Sequence, residues 1–413
     1  MAASGLLEIE HARRLILTAV KPLPSEAVEL PAALGRVLGE DVNAEEQVPA
    51  FDSSAMDGFA VRAEDVVAAD QRSPAVLSVV DESRAGSPAD ATLGGGQAIA
   101  ISTGAMLPAG ADAIVPIEDA RAQNGCVEVL VAAPAGHHVR RAGADVRAGQ
   151  TVLERGAVIG PAELGVLASL GRVAVQCARR VRLSLLVSGD ELLAPGEPSR
   201  PGAIRDSNSL TIAALARCAG AEVVNARTVS DEAEATTAAL AAAVEDVDVV
   251  VVSGGVSVGV HDHVRPSLEA LGAQTAFWGL ALKPGRPTWF GTLGETLVFG
   301  LPGNPVSAMV TFILLVRPAL RALLGVPEPS QRLTAVIDRG YEKPAGRAHA
   351  VRCRLSARGD GWHAEPTGAQ ASHILTSMLG ADALAIIPTD TVAVRAGERV
   401  EIEPLRLWAG APA

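Results

Sequence analysis

Asp190 and Glu191 stand directly behind an apolar run in SGDEL (188–192), so two neighbouring carboxylates emerge where a strand should end. Asp262 belongs to VDVVVVSGGVSVGVHDHVR (247–265), in which a β-branched run too short for a helix meets a Ser-Gly-Gly turn. With Asp57, in the turn-forming DSSAMDG, these acids make an oxygen-only set of the kind magnesium takes, one or two carboxylates plus ligand phosphates. An Asp57 that merely caps its own turn would read the same way. Lys283 and Arg286 sit in KPGRP, where prolines stiffen a turn and fix two cations for an oxyanion, although an exposed charge pair has the same sequence. GLPGNPVS (300–307) places Pro302 and Pro305 around Gly303 and Asn304 and opens at Ser307 into a helix whose N-terminus would attract an anion. His261 and His263 flank Asp262 but point away from it in an extended segment, and read as solvated loop residues. No Ser-His-Asp or Cys-His arrangement can be drawn, and neither GxxxxGK[ST] nor GxGxxG follows a strand, so kinase and dinucleotide chemistry fall away. What remains is a phosphate or oxyanion site built from acids, magnesium and two cations.

The elements that must position these residues are legible in part. Residues 181–325 alternate strand and helix patterns: strands at 182–187, 222–226, 247–252, 274–278 and 296–299, helices near 208–219, 231–245, 263–271 and 305–323. This predicts a parallel sheet with helices on both faces and with SGDEL, SGGVSVG and GLPGNP opening on one edge, where open α/β sheets bind ligands. Before it, 74–155 alternates short apolar runs (76–80, 98–101, 113–117, 127–132) with Gly/Pro breaks and reads as a mainly β module. HHVRRAGADVRAG (137–149) gathers Arg140, Arg141 and Arg147 around Asp145 in a glycine-rich loop. A helix is expected over 7–20, with Leu7, Ala12, Leu15, Ile16 and Ala19 on one face, and a short one at 161–171. After 330 the runs 333–338, 349–355, 384–387 and 399–404 predict a closing β-barrel or sandwich.

Composition bounds the rest. A chain of 413 residues needs two to four domains, and 48% hydrophobic with 20% charged residues is globular. No tract reads as a bilayer span and no signal segment opens the chain, so the expectation is a cytoplasmic protein. A net charge of −12 argues against nucleic-acid binding and requires any anion site to be a local cationic pocket. Cys126, Cys177, Cys218 and Cys353 lack zinc spacing and read as reduced, mostly buried thiols. With 3% aromatics, 41 Gly and 26 Pro, the core must be Val, Ala and Leu between many sharp turns.

Taken together, AFDSSAMDGFA, STGAMLPAGADAIV, RRAGAD, SGDEL, IRDSN, SGGVSVG, KPGRP and GLPGNPVSA resemble, in order and over nearly the whole chain, the molybdopterin molybdenumtransferases: the MoeA proteins and the E domain of gephyrin. SGGVSVG alone is also similar to the MogA-type adenylyltransferases, and a gephyrin-like scaffold remains an alternative. The resemblance implies an α/β multidomain chain: a linking and dimerisation region (1–45 and 147–178), a mainly β module (46–146), a MogA-like three-layer α/β domain (179–327) and a C-terminal β-barrel-like domain (328–413). It also implies a homodimer with its site between subunits, and insertion of molybdate into adenylylated molybdopterin with magnesium-dependent release of AMP. Possible protein partners are a MogA-type adenylyltransferase and apo-molybdoenzymes, with no nucleic acid and no membrane. Carried over by residue, Asp57, Glu191, Asp262 and Lys283 are catalytic, Glu191 and Asp262 holding Mg2+. Thr103, Asp145, Asp231, Ser257, Arg286, Pro302, Pro305, Arg352 and Ser372 bind substrate, the last two through AGRAHAVR and TGAQASH. Where many members of the family carry a cation four residues before the KPG lysine, this chain has Gly279, and Arg286 is the candidate to compensate.

Overall fold

In the computed structural model, residues 5–256, 262–329 and 331–405 are described. The chain forms two compact units. One holds the chain up to Glu40, Arg155–Pro161 and everything from Ala174, and the other holds Asp41–Glu154 and Ala162–Val173.

The second unit is built on six strands, β1 (Gly58–Val61), β2 (Ala75–Ser83), β3 (Gln97–Ile101), β4 (Ala113–Pro116), β5 (Ala120–Gln123) and β6 (Cys126–Val129), ordered β4-β1-β3-β2-β6-β5. Phe59, Val61, Leu77, Val115, Val127 and Val129 fill its core. The four apolar runs marked in the sequence are strands here. β1 and β5 were not anticipated, because Gly58-Phe-Ala-Val is short and Ala120–Gln123 is half to fully exposed. The 161–171 pattern is the helix Pro161–Ser169.

In the first unit, α1 (Ile9–Ala19) lays Ile9, Ala12 and Ile16 on the core, and also Arg13. The central sheet contains β7 (Val181–Ser188), β8 (Ala221–Val229), β9 (Val249–Ser253), β10 (Gln274–Trp278), β12 (Trp289–Leu293) and β13 (Thr296–Leu301), in the order β8-β7-β9-β13-β12-β10. β11 (Leu282–Lys283) leaves this sheet and joins the next one. Helices α2 (Asn208–Cys218), α3 (Ala233–Ala243), α4 (Val264–Ala270), α5 (Pro305–Thr311) and α6 (Arg317–Leu323) follow the expected alternation. The expectation of a wholly parallel sheet is corrected. β8, β7, β9 and β13 are parallel, but β12 is antiparallel to β13 and β10 to β12. The cause is a hairpin at Gly294, whose two strands are too close in sequence for a crossover. The lone acid of the β9 run also has its reason. Asp248 takes two hydrogen bonds from Arg179, at 3.0 and 2.7 Å, and one from the Arg182 N–H at 2.7 Å, which satisfies the carboxylate at the strand's foot.

A second correction concerns Pro305–Leu323. It is 19 residues long with mean hydropathy 1.7, long and apolar enough to cross a bilayer, but 78% of its apolar window is buried inside the protein. Between α5 and α6 it carries a π-turn, Phe312–Val316, every residue of which is buried.

The C-terminal strands β14 (Leu333–Ile337), β15 (Ala348–Arg358), β16 (Gly361–Pro366), β17 (Ala383–Ile387) and β18 (Arg399–Pro404) close as β15-β16-β14-β18-β17-β15, a five-stranded barrel. β16 is the barrel strand that the sequence patterns did not mark, as β12 is in the central sheet. Its polar Trp-His-Ala-Glu hides the period, and His363 is buried only because Asp338 and Asp360 take its two ring nitrogens at 2.7 and 2.9 Å. All four cysteines are free, with Cys177 and Cys353 buried, Cys126 half-buried and Cys218 exposed.

One carboxylate ties helices to barrel. Glu403 on β18 accepts from Arg13 of α1 at 3.0 Å and from Arg317 of α6 at 2.6 Å, and Arg13 Nε also donates to Leu314 O at 2.8 Å. Burial pushes the Arg317 guanidinium down, and Glu403 partly offsets this. Glu403→Gln would leave two buried cations facing a neutral amide, so we expect a loss of about 3 kcal/mol in urea unfolding, whereas Glu401→Gln, on an exposed pair, should cost well under about 1 kcal/mol.

Candidate functional site

The site grows from the edge where the parallel strands end. Val187, Ser253 and Leu301 lie in one row across β7, β9 and β13, so the three loops that follow leave the sheet together. They meet at Gly254. Its N–H donates to Leu301 O at 3.0 Å, and a Cβ on it would lie 2.6 Å from Ser188 O. With φ at +95°, the position excludes a side chain on both counts. Gly255 O accepts from the first N–H of α4 at 3.2 Å, which brings the segment after Asp262 back against the turn. Asn208, the first residue of α2, locks the group: its Nδ2 donates to Ser253 Oγ at 2.9 Å and to Gly303 O at 2.8 Å, and Ser253 Oγ donates to Pro302 O at 3.2 Å. Asn208 Oδ1 is buried and has no partner among the described residues.

Acids gather at the β7 and β8 ends. Asp231 accepts from the Ser188 hydroxyl and, at 3.4 Å, from the Asp190 N–H, while Asp190 accepts from the Asp231 N–H at 3.2 Å. Glu191 is exposed, with its carboxylate folded over Gly189. Asp262 is half-buried two residues before α4. Ser257 and His261 lie outside the described residues, so neither the expected substrate contact of the one nor the solvated loop position of the other is described. Among the described residues no group of three His, Cys, Asp or Glu is gathered as a metal cage. Magnesium needs fewer, one or two carboxylates with the remaining oxygens from phosphate and water, and the hard oxygen donors at these strand ends fit that demand.

Cations occupy the other side. The KPGRP turn is exposed at Lys283 and Arg286, and its Gly285 is pressed against the Thr311 methyl of α5. Lys283 lies on β11 beside His349 of β15. Pro302 is buried and Pro305 half-buried at the start of α5. The helix starts where the 305–323 pattern put it and not at Ser307. Proline is at home in the first turn, so the helix begins at Pro305, and Ser307 is buried with its carbonyl accepting from Thr311. The barrel loop 367–373 reaches this turn through Ser372, whose carbonyl accepts from the Val306 N–H and whose Oγ accepts from Asn304, both at 3.2 Å. Arg352 is wholly buried on β15 and touches the same loop. Glu191, Asp231, Pro302, Pro305, Lys283, Arg352 and Ser372 are therefore linked through neighbouring strand ends, turns and loops of one unit. At Gly279 φ is +89° and a Cβ would lie 2.9 Å from a Leu6 methyl, so a long cation there would be strained.

In the other unit, the Asp57 carboxylate accepts from the Thr103 N–H at 2.8 Å, so it braces a neighbouring loop rather than capping its own turn. Both residues are exposed. Asp145 is exposed on a separate loop whose N–H bonds Val48 O at 3.0 Å. The arginine cluster does not close on Asp145: Arg141 pairs with Asp52 at 2.6 Å, and the Ala142 N–H bonds the same carboxylate, holding Asp52 below the usual carboxylate range.

An open α/β sheet whose strand ends carry the loops, extended by a five-stranded barrel, defines a multidomain α/β protein of the class that binds ligands at its strand ends. Family models match in three consecutive segments: "MoeA N-terminal region (domain I and II)" over 7–171, "Probable molybdopterin binding domain" over 184–322 and "MoeA C-terminal region (domain IV)" over 334–405. Molybdopterin molybdenumtransferase 2 of Mycobacterium tuberculosis is 37% identical over 95% of this chain and 98% of its own. The molybdopterin molybdenumtransferase of Haemophilus influenzae is 35% identical over 97% and 98%. A crystal structure of a molybdopterin biosynthesis MoeA protein from Pyrococcus horikoshii aligns with a TM-score of 0.83 and 29% identity over 96% of this chain and 99% of that one. The chain belongs to the MoeA family of molybdopterin molybdenumtransferases.

Sequence reasoning passed over Asn208, although IRDSN contains it, because nothing in the sequence shows one amide spanning two loops. His349 was missed too. Burial first, then Lys283, Lys343 and Arg347, push its imidazole down to about 4, so it is neutral among cations. Since its folded value lies below the ordinary 6.5, the unfolded chain takes up the proton first as pH falls. We expect stability to drop from pH 6.5 towards about 4 and then to level off, His349→Gln to flatten that slope, and the His349 ring resonance in NMR to titrate near 4.

Proposed function

We propose that this chain inserts molybdate into adenylylated molybdopterin and releases AMP, acting in molybdenum cofactor biosynthesis as a cytoplasmic homodimer. The observation that carries the reading is the division of the unit's edge into acids on the β7 and β8 side and cations around KPGRP and Arg352, next to a backbone turn without side chains. Such an edge suits a ligand with a pyrophosphate at one end and an oxyanion beside it.

Glu191 and Asp262 are the residues that would hold Mg2+, which when bound neutralises charge on the pyrophosphate and on the departing AMP. Asp231 fixes the Ser188 hydroxyl and the Asp190 main chain, and so sets the shape of the acidic loop. Lys283 and Arg286 are assigned to the molybdate with Arg352 and Ser372, while Pro302 and Pro305 hold the loop rigid beside it. Ser257 completes the substrate contacts by position in the motif. Asp57, Thr103 and Asp145 are assigned to substrate by their positions in the motifs, on the expectation of a site shared between two subunits. The adenylyltransferase alternative accounts only for the segment matched over 184–322, and the barrel cations would then be without a role. A pure scaffold would leave the acids without one.

Incubation with adenylylated molybdopterin, molybdate and Mg2+ should release AMP with the protein present and not without it. Asp262→Ala should lower that rate by at least about 100-fold with an unchanged circular dichroism spectrum. Lys283→Ala should raise the KM for molybdate by about 10-fold or more with a smaller change in kcat. Failure of the parent chain to release AMP under these conditions would overturn the reading.

A further inference from the structure

Arg352 presents an unusual economy of bonds. Its side chain is wholly buried, and among the described residues no carboxylate lies within ion-pair distance. Nη2 donates to Ala369 O and Ala371 O at 3.2 and 3.3 Å, and Nε and Nη1 have no partner among the described residues. A buried cation left unpaired is costly, and on the reading above the unpaired nitrogens await an oxyanion. The side chain holds its loop only through two long bonds, so something else must fix the guanidinium.

That role falls at a gap in the sheet, where β11 pairs only with Ala348 and His349 and leaves Ala350, Val351 and Arg352 without a strand on that flank. β15 pairs with β17 through Arg352, but on its other flank the pairing with β16 begins only at Cys353 opposite Pro366. Arg352 is therefore the last residue of that gap. Gln370 takes the strand's place. Its Oε1 accepts from the Arg352 N–H at 2.9 Å and its Nε2 donates to Arg352 O at 3.2 Å, the pair of bonds a neighbouring backbone would make. Thr367 adds its N–H to the same carbonyl at 2.8 Å. From this same loop Ser372 reaches the start of α5.

We propose that Gln370 is the positioning residue for Arg352: its side-chain amide replaces a missing strand, fixes the main chain from which the guanidinium springs, and so sets the chain's affinity for molybdate. The inference rests on Arg352 meeting molybdate. Gln370 itself does not touch the anion. Its effect must therefore pass through Arg352, which separates a positioning role from a merely structural one.

The experiment is a double-mutant cycle on the full-length protein, with molybdate binding read by calorimetry and the KM for molybdate read by AMP release. Gln370→Ala should weaken molybdate binding by about 10-fold and raise KM in proportion, with kcat within about 2-fold, as expected for one misplaced charged donor. Arg352→Ala should weaken binding at least as much, and the double variant should match Arg352→Ala within about 2-fold. Gln370→Glu keeps the acceptor for the Arg352 N–H, loses the donor to its carbonyl and sets a carboxylate beside the guanidinium. It should bind molybdate more weakly still at neutral pH, and it decides the question if the alanine variant does not fold. Unchanged binding in both Gln370 variants, or effects of Gln370→Ala and Arg352→Ala that multiply in the double variant, would overturn the proposal. Unchanged binding in Arg352→Ala would overturn the underlying reading as well, which distinguishes the two failures.

Discussion

The site depends on a distance too short for a side chain. Gly254 lies between the carbonyl of Ser188 and the turn at Gly303, whose own Cβ position would be 3.6 Å from the Gly254 Cα. Only because the backbone of one strand end can be inserted there do three loops share an edge. The parallel register then does the rest, since Val187, Ser253 and Leu301 stand in one row and each loop starts from the same height. Asn208 makes the arrangement rigid by donating to two of the three strand ends at once. Any larger residue at Gly254 would move Ser188 or Gly303, and with them Glu191 or Pro302.

Onto this frame the chain sets charge against its own average. The protein is acidic overall, at −12, yet Lys283, Arg286, Arg347 and Arg352 stand near one another in sequence or sheet register on the barrel side. Repulsion among them is limited by different local means. Lys343 is buried but donates to three carbonyls, those of Pro344, Arg347 and Thr389, at 3.4, 2.9 and 3.3 Å. His349 yields its proton and accepts a hydrogen bond or donates one with Tyr341 at 3.0 Å, as a neutral ring. The remaining positive charge stays concentrated on this side, so a local field with the opposite sign to the net charge is created by geometry rather than by composition.

The sequence carried the order of elements well because strand and helix periods differ and because Gly and Pro mark their ends. The strands at 182–187, 274–278 and 399–404 and the helix at 208–219 lie within two residues of the structure at each end. What it concealed was pairing. The Gly294 hairpin inserts one unexpected strand, Trp289–Leu293, that runs against all its neighbours, and Gly361–Pro366 has no apolar period because its histidine is buried between carboxylates. The same limit applies to the site. Glu191, Pro302 and Lys283 could be picked out as candidates from strand-end and turn motifs, since residue type and position are both in the sequence, whereas Asp231 entered only through the family resemblance. Gln370 and Asn208 could not, because each acts by spanning backbone groups 18 to 95 residues away, a relation that no local pattern records.

That concealed pairing explains why the anion side cannot be assigned to either half of the unit. Lys283 falls in the segment matched over 184–322, yet its strand is hydrogen-bonded to β15 of the segment matched over 334–405. In the opposite direction, Ser372 of the barrel segment occupies the first free N–H of α5 and the Asn304 amide. Each half thus lends the other a strand or a loop exactly where cations are needed. An α/β domain on its own would keep its acidic strand ends and lose Arg352, the support under Lys283 and the cap on α5. The docked barrel therefore supports Lys283 through β15 and caps α5 through Ser372, so it shapes this loop edge together with the sheet that carries the motifs.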